Sequence, residues 1–155
     1  QLVSSAVNVV SREKEVVILG RGFAYPNARE AALKVQETRK ISVQGVSTAD
    51  YLHGPISALT ADTQVFIVAP SHMPASSITE ATIKIRATSS RIFWIGNGGT
   101  PEGADIVLAG SNCDDEIAST IVDAIVLQRF ALEFAVASGY DPDAPVGLSK
   151  VTLTN

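Results

Sequence analysis

Residues Gln64 to Ala69 read QVFIVA, an apolar run rich in β-branched residues that is followed by the polar loop PSHMPASS (70–77). A run this short and this apolar is typical of a strand that is buried on both faces. Two similar runs, EVVIL at Glu15–Leu19 and RIFWI at Arg91–Ile95, both end in glycine-rich turns. Together the three runs predict the centre of a parallel sheet.

The segments around these runs alternate between strand and helix patterns. Weaker strand patterns lie at Ile41–Val46 and Asp105–Leu108. Helix patterns begin at Pro26, at a Ser47 cap, at a Ser76 or Ser77 cap and at Asp114; the last of these runs to about Ser138 and ends at Gly139. This alternation predicts an α/β fold, with a three-layer, doubly wound, parallel five-stranded sheet. We expect one domain over residues 1–155, with a core at about 15–138 and an extended tail at 139–155.

Composition narrows the class of protein. The chain has 155 residues, of which 46% are hydrophobic and 18% charged, which excludes a disordered or fibrous protein. The net charge of −4 offers no basic field, so we expect no nucleic-acid or membrane partner. Cys113 is the one cysteine, which excludes an internal disulfide and favours a reducing, cytoplasmic setting.

The first ten residues, QLVSSAVNVV, lack the basic and apolar regions of a signal peptide. No apolar run approaches the roughly 20 residues that span a bilayer. Because the chain begins with Gln1, we expect its natural start to lie upstream.

Gly20-Arg21-Gly22 follows the first predicted strand and invites a dinucleotide-binding interpretation. The third glycine of that fingerprint would fall on Tyr25, whose bulk opposes close helix–strand packing. A tight turn is the simpler interpretation. Alternatively, backbone N–H groups at this helix start face an anionic or hydroxylated ligand.

Glu30, Lys34 and Glu37 share one face of the first predicted helix, at i, i+4 and i+7. They form either a solvated salt-bridged stripe or a carboxylate held beside a cation, which is a plausible base for a carbon acid. His53, before Gly54-Pro55, is either a helix-end residue or a catalyst.

The remaining polar residues suggest structural roles. His72 lies in a polar loop, and two histidines without paired spacing make no metal site. Cys113 has no partner cysteine and is interpreted as structural. Ser71, Ser76, Ser77 and Thr79 are interpreted mainly as helix caps, although such loops can hold phosphate.

Four motifs occur in a specific order: LGRGFAYPNAREAALKVQE (19–37), DYLHGP (50–55), VFIVAP (65–70) and DAPVGLSKVT (143–152). Their combination resembles the second sugar-isomerase (SIS) domain of the isomerase half of glucosamine-6-phosphate synthase and of tandem-SIS glucosamine-6-phosphate deaminases. The resemblance runs from about Val16 to Thr154 and implies a flavodoxin-like SIS fold.

The resemblance implies roles for specific residues. Glu37 matches the catalytic glutamate of the family's E-G-A-L-K-L-K-E stretch, with Glu30 and Lys34 as supporting charges. His53 matches the histidine that reaches into the neighbouring subunit and assists ring opening. Lys150 matches the C-terminal lysine, which suits a developing enediol charge. Ser149, Gly20 and Arg21 become substrate-binding candidates, and neither a cofactor nor a metal is implied.

The same resemblance implies partners and a reaction. The partners are a phosphorylated amino sugar, a first SIS domain of the same parent chain and a second subunit of a homodimer. The expected reaction is aldose–ketose isomerisation of glucosamine-6-phosphate with loss of ammonia. The loops that grip phosphate in this family belong mainly to the first SIS domain, so we expect the isolated chain to be inactive.

Two alternatives stay open. One is a non-catalytic phosphosugar-binding or dimerisation module. The other is a deglycase for sugar–amino-acid phosphates, which would use the same proton transfers.

Overall fold

A single parallel sheet lies at the centre of the computed structural model, which describes residues 2–10, 14–71, 75–88, 90–98, 103–144 and 147. Its strands are β1 (Glu15–Gly20), β2 (Val43–Ser47), β3 (Thr63–Val68), β4 (Arg91–Ile95) and β5 (Ile106–Leu108). Their order is β2-β1-β3-β4-β5, and every neighbouring pair is parallel. The predicted doubly wound, five-stranded α/β fold is confirmed.

Helices connect the strands. They are α1 (Leu2–Val9), α2 (Ala24–Arg39), α3 (Thr48–Leu52), α4 (Ala75–Arg86) and α5 (Glu116–Ala137), with a short 3₁₀ turn at Pro55–Ala58. The sequence pattern does not predict α1.

The predicted boundaries shift by one or two residues where local bonding decides them. Asp115, rather than Asp114, caps α5, because its carboxylate accepts the N–H of Ala118 at 2.7 Å. The predicted Ser47 cap is present, since its side chain accepts the N–H of Asp50. Gly139 follows α5 with a φ of +81°, as a helix-ending glycine does.

The helices cover both faces of the sheet, which makes the three predicted layers. Side chains of α1, α2 and α5 pack on one face, where the Phe66 ring stacks on Phe93 at 4.5 Å and meets Phe130 at 4.9 Å. Side chains of α3 and α4 pack on the other face, around Trp94 and Tyr51. The two sides of each central strand therefore point into different cores, which explains the unbroken apolar runs.

Contact between backbones fixes the position of α2. A Cβ added at Gly45 of β2 would lie 2.5 Å from the carbonyl oxygen of Ala28 and 2.6 Å from the Cα of Arg29. Only a glycine permits this approach. The helix ends at Lys40, which adopts a left-handed conformation (φ 56°) and donates its N–H to Gln36.

In the part of the chain that the structure describes, no helix combines the length and apolarity needed to cross a membrane.

Candidate active site

Glu30, Lys34 and Glu37 lie on one face of α2, and we call them the α2 stripe. Lys34 Nζ donates to Glu37 Oε2 at 2.7 Å, with side chains that are 38% and 31% exposed. Glu30 Oε1 accepts from Gln128 of α5 at 3.4 Å. The stripe is thus half-buried along the border between α2 and α5, rather than fully solvated.

The electrostatics of the stripe centre on Lys34. The hydrogen bond to Glu37 raises the pKa of Lys34 above its usual value, partial burial opposes this, and the charges of Glu37 and Glu30 add to the rise. Lys34 is therefore held as an ammonium between two carboxylates. A cation in this position can orient a neighbouring carboxylate by a hydrogen bond, as a base that abstracts a proton requires.

A groove of about 530 Å³ runs beside the stripe, between α2 and the edge strand β2. Glu30 lies at its border, while Tyr25, Arg29, Gln36 and Gly45 line it. The Arg29 guanidinium lies over the Tyr25 ring, 6.0 Å from its centroid. Sequence reasoning missed this groove; the available signal was Tyr25 and Arg29, one helical turn apart on the helix.

Gly20 and Arg21 form the turn at the carboxyl end of β1. The N–H groups of Ala24 and Tyr25 donate to the carbonyls of Arg21 and Gly22, both at 3.1 Å. The N–H groups of Ala24 and Tyr25 therefore form hydrogen bonds within the turn and do not face a ligand. Gly22 has a φ of +58°, so the tight-turn interpretation of Gly20-Arg21-Gly22 fits the backbone.

His53 ends α3, and its N–H donates to the carbonyl of Asp50 at 3.2 Å while its side chain is exposed. A hydrogen bond from Lys84 lowers the pKa of Glu80, and the charges of Lys84, His53 and Arg21 lower it further, with burial opposing. Glu80 therefore lies within electrostatic range of both Arg21 and His53, and we call these three residues the carboxyl-edge cluster. Sequence reasoning missed Glu80, although its helix follows β3 at that edge.

Within one chain the α2 stripe and the carboxyl-edge cluster lie apart. Glu37 is 13 residues beyond the start of α2, which places it about 20 Å down the helix axis from the carboxyl edge. Its neighbour Gln36 donates to the carbonyl of Val43, the first residue of β2, at 2.7 Å. Moreover, α2 and α3 pack on opposite faces of the sheet. One chain therefore does not bring Glu37 and His53 together.

Ser149 and Lys150 lie outside the described residues, as does His72. The segment that leads toward them begins beside α2: the Arg39 guanidinium lies 4.8 Å from the ring centroid of Phe134 and 5.5 Å from that of Tyr140. Cys113 is half-buried and forms no disulfide. Among the described residues, no group of three or more His, Cys, Asp or Glu side chains could hold a metal ion.

Comparison with known proteins identifies the family. The SIS domain model matches residues 10–138. A glutamine–fructose-6-phosphate aminotransferase (isomerizing) of Leifsonia xyli subsp. xyli is 32% identical over 149 residues, which cover 91% of this chain and 24% of that protein. The chain thus spans about a quarter of the length of the curated relatives it matches.

Solved structures agree. The C-terminal domain of glucosamine-fructose-6-phosphate aminotransferase from Francisella tularensis matches with a TM-score of 0.79 and 21% identity, over 90% of this chain and 40% of that one. Tagatose-6-phosphate ketose/aldose isomerase from Escherichia coli matches with a TM-score of 0.77 and 26% identity, over 94% of this chain and 41% of that one. The resemblance drawn from the four sequence motifs is confirmed, and the chain belongs to the SIS domain family.

Proposed function

We propose that this domain supplies the proton-transfer residues of an amino-sugar-phosphate isomerase or deaminase. Glu37 takes the proton from C2 of the open-chain aldose and returns it to C1. The resulting C2 imine is hydrolysed by water, which releases ammonia and leaves the ketose phosphate. Lys150 stabilises the charge that develops on the sugar oxygen, and His53 exchanges the proton needed for ring opening.

The ion pair of the α2 stripe is the observation that carries this proposal. The 2.7 Å hydrogen bond from Lys34 holds this half-buried carboxylate in a fixed direction, as a base for a carbon acid requires. The names of the similar proteins describe enzymes of fructose-6-phosphate and tagatose-6-phosphate. A sugar phosphate is therefore the substrate class we propose.

The tail can supply Lys150 to this stripe. Tyr140 lies over Arg39, two residues beyond Glu37. The ten residues from Tyr140 to Lys150 span at most about 36 Å when extended, which exceeds the distance across one helix end. Arg21, Gly20 and Ser149 remain proposed substrate contacts, and Glu30 and Lys34 remain proposed supporting charges.

The separation of His53 from Glu37 supports a site shared between subunits. We propose a homodimer in which His53 of one subunit serves the α2 stripe of the other. A first SIS domain in the same parent chain would provide the grip on the phosphate. We propose the cytoplasm as its compartment, consistent with the single cysteine.

Turnover of glucosamine-6-phosphate to fructose-6-phosphate by the full-length protein in ²H₂O tests the proposal. Glu37→Gln should lower kcat by a factor on the order of 10²–10⁴ and remove deuterium incorporation at C1. Glu133→Gln is the matched control, because Glu133 is also a half-buried carboxylate in a 2.7 Å ion pair, on α5. Unchanged turnover in Glu37→Gln would refute the role of Glu37.

Mixing two inactive variants tests the shared site. A hybrid dimer of a Glu37→Gln chain and a His53→Ala chain contains one site with both groups intact, so activity should return on mixing. Absence of recovery, with hybrid formation verified by mass spectrometry, argues against a role for His53 across subunits.

The separation within one chain also favours a second candidate, a module that binds a phosphosugar without turnover. Calorimetry would then detect binding of a sugar phosphate to the full-length protein, and Lys150→Ala would not change the rate of glucosamine-6-phosphate turnover. Release of an amino acid from a sugar–amino-acid phosphate would instead identify the deglycase.

A further inference from the structure

Glu37 lies in the last turn of α2, where a helix ordinarily frays because its final carbonyl groups have no partner within the helix. Side chains on both sides of Glu37 restrain this turn. Gln36 donates to the carbonyl of Val43 in β2 at 2.7 Å, and Thr38 donates to the carbonyl of Lys34 at 2.6 Å. The turn that carries the proposed base is therefore tied to the sheet and to the preceding turn.

Arg39, the last residue of α2, makes the most buried contact of this turn. It is 5% exposed, although arginine is rarely buried. Its guanidinium lies over two rings, 4.8 Å from the centroid of Phe134 and 5.5 Å from that of Tyr140. Because a planar guanidinium stacks on aromatic faces, these two rings fix its orientation. Arg39 therefore joins the end of α2 to the end of α5.

The chain that leaves α5 is directed onto Arg39 by its own backbone. Gly139 follows the helix with a φ of +81°, and the N–H of Tyr140 donates to the carbonyl of Ala135 at 3.1 Å. Backbone bonds of this kind end a helix and set the direction in which the chain continues. We call Gly139 and Tyr140 the tail root. The position of the Tyr140 ring is thus set by the backbone as well as by the ring's contact with Arg39.

We infer that Arg39 is a positioning residue for the proton transfer, which fixes the turn that carries Glu37 against the tail root that leads to Lys150. This inference rests on the proposed function, and Arg39 itself touches no reacting atom in it. Glu37 precedes Arg39 by two residues, and Lys150 follows Tyr140 by ten. A shift of the turn against the tail root would change the distance between base and cation, and a misplacement of about 1 Å can cost on the order of 10²-fold in rate.

A purely structural role for Arg39 makes a different prediction. Its replacement would then lower the fraction of folded enzyme, while the folded molecules would keep the wild-type kcat and KM. A positioning role instead lowers the kcat of the folded molecules. KM should change little, because the proposed grip on the phosphate lies in another domain.

Steady-state turnover of glucosamine-6-phosphate by the full-length protein, with the folded fraction measured by circular dichroism, separates the two roles. Arg39→Lys and Tyr140→Ala should each lower kcat on the order of 10-fold and change KM by less than about 2-fold. Tyr140 is 38% exposed, so its replacement spares the core. Tyr140→Phe should keep the wild-type kcat, because it keeps the ring. Arg86→Lys is the matched control and should also keep it: Arg86 ends α4, and its guanidinium donates to Asp105 at 3.2 to 3.4 Å.

The double variant Arg39→Lys/Tyr140→Ala tests whether the two residues act together. Its kcat should lie within about 2-fold of the lower single variant, because either change alone already releases the contact. Losses that add in full would overturn the inference. So would a kcat of Arg39→Lys that matches Arg86→Lys, or a loss in Tyr140→Phe as large as in Tyr140→Ala. Turnover that survives in Glu37→Gln would refute the proposed function and this inference with it, whereas an inactive Glu37→Gln beside a fully active Arg39→Lys would refute only the positioning role.

Discussion

Lys34 Nζ lies 2.7 Å from Glu37 Oε2, one turn away on α2, and this hydrogen bond is the largest cause of the raised pKa of Lys34. The ordinary pKa of the group is 10.5. Because the folded chain holds this proton more tightly than the unfolded chain does, the stabilisation is fully present below pH 10.5. It is lost as the pH rises through the raised value of the folded state.

We therefore predict that Glu37→Gln lowers the pKa of Lys34 toward its ordinary value. Resonance shifts of the lysine side chain, followed by NMR against pH, measure it directly. Glu133→Gln should leave the titration of Lys34 unchanged. The contribution to stability is small, about 0.2–0.5 kcal/mol, because both side chains are about one-third exposed. A Lys34 titration that is the same in Glu37→Gln and wild type contradicts the pairing.

The pKa of Glu80 measures the electrostatic interactions within the carboxyl-edge cluster. Its hydrogen bond from Lys84 is the largest cause of its lowered pKa, and His53 and Arg21 act in the same direction. We predict that Lys84→Met raises the pKa of Glu80 and that His53→Ala raises it by less, as measured by carboxyl ¹³C shifts. A Glu80 titration that does not respond to His53→Ala would separate His53 from the cluster.

Gly45→Ala should destabilise the fold by about 1–3 kcal/mol, because the new methyl group meets the backbone of Ala28 and Arg29. Urea unfolding measures the change. Gln44→Ala is the control, since it places alanine at the exposed neighbouring position of β2, and it should stay within about 0.5 kcal/mol of the wild type. Equal stabilities for the two variants would mean that α2 can move away from β2 without cost.

Arg39→Lys should cost about 1–2 kcal/mol, because an ammonium does not reproduce a buried guanidinium stacked on two rings. A double-mutant cycle of Arg39→Lys with Tyr140→Ala should give a coupling energy of about 0.5–1 kcal/mol. Arg29→Lys is the control, since its contact with Tyr25 is longer and exposed. A coupling energy of zero would show that the start of the tail is not held by Arg39.

The sequence predicts β1, β3 and β4 well because each is buried on both faces, so its apolar run is nearly continuous. Arg91–Ile95 matches β4 residue for residue. The α1 helix was missed because its segment is rich in valine and serine, which favour helix weakly. Its conformation depends on burial of Ala6, Val7 and Val10 against the sheet and α5.

The candidate site was predicted in part. The spacing of Glu30, Lys34 and Glu37 identified one helix face, and the structure has them on that face. Spacing along the chain says nothing about distance between different elements, so the gap between Glu37 and His53 could not be predicted. Glu80 was missed for the same reason. It follows β3 in the sequence, and it comes within electrostatic range of His53 only because β3 lies beside β1 in the sheet.

The contact of α2 with Gly45 is a contact of main chain with main chain. The height of α2 above the sheet at Ala28 and Arg29 is therefore set by the main chain and not by the side chains that line the neighbouring groove. Tyr25 and Arg29 can be exchanged during evolution, or by an engineer, while this part of the helix keeps its distance from β2. Under the proposed function, the lining of this groove and the base Glu37 are therefore separately mutable parts of the same helix.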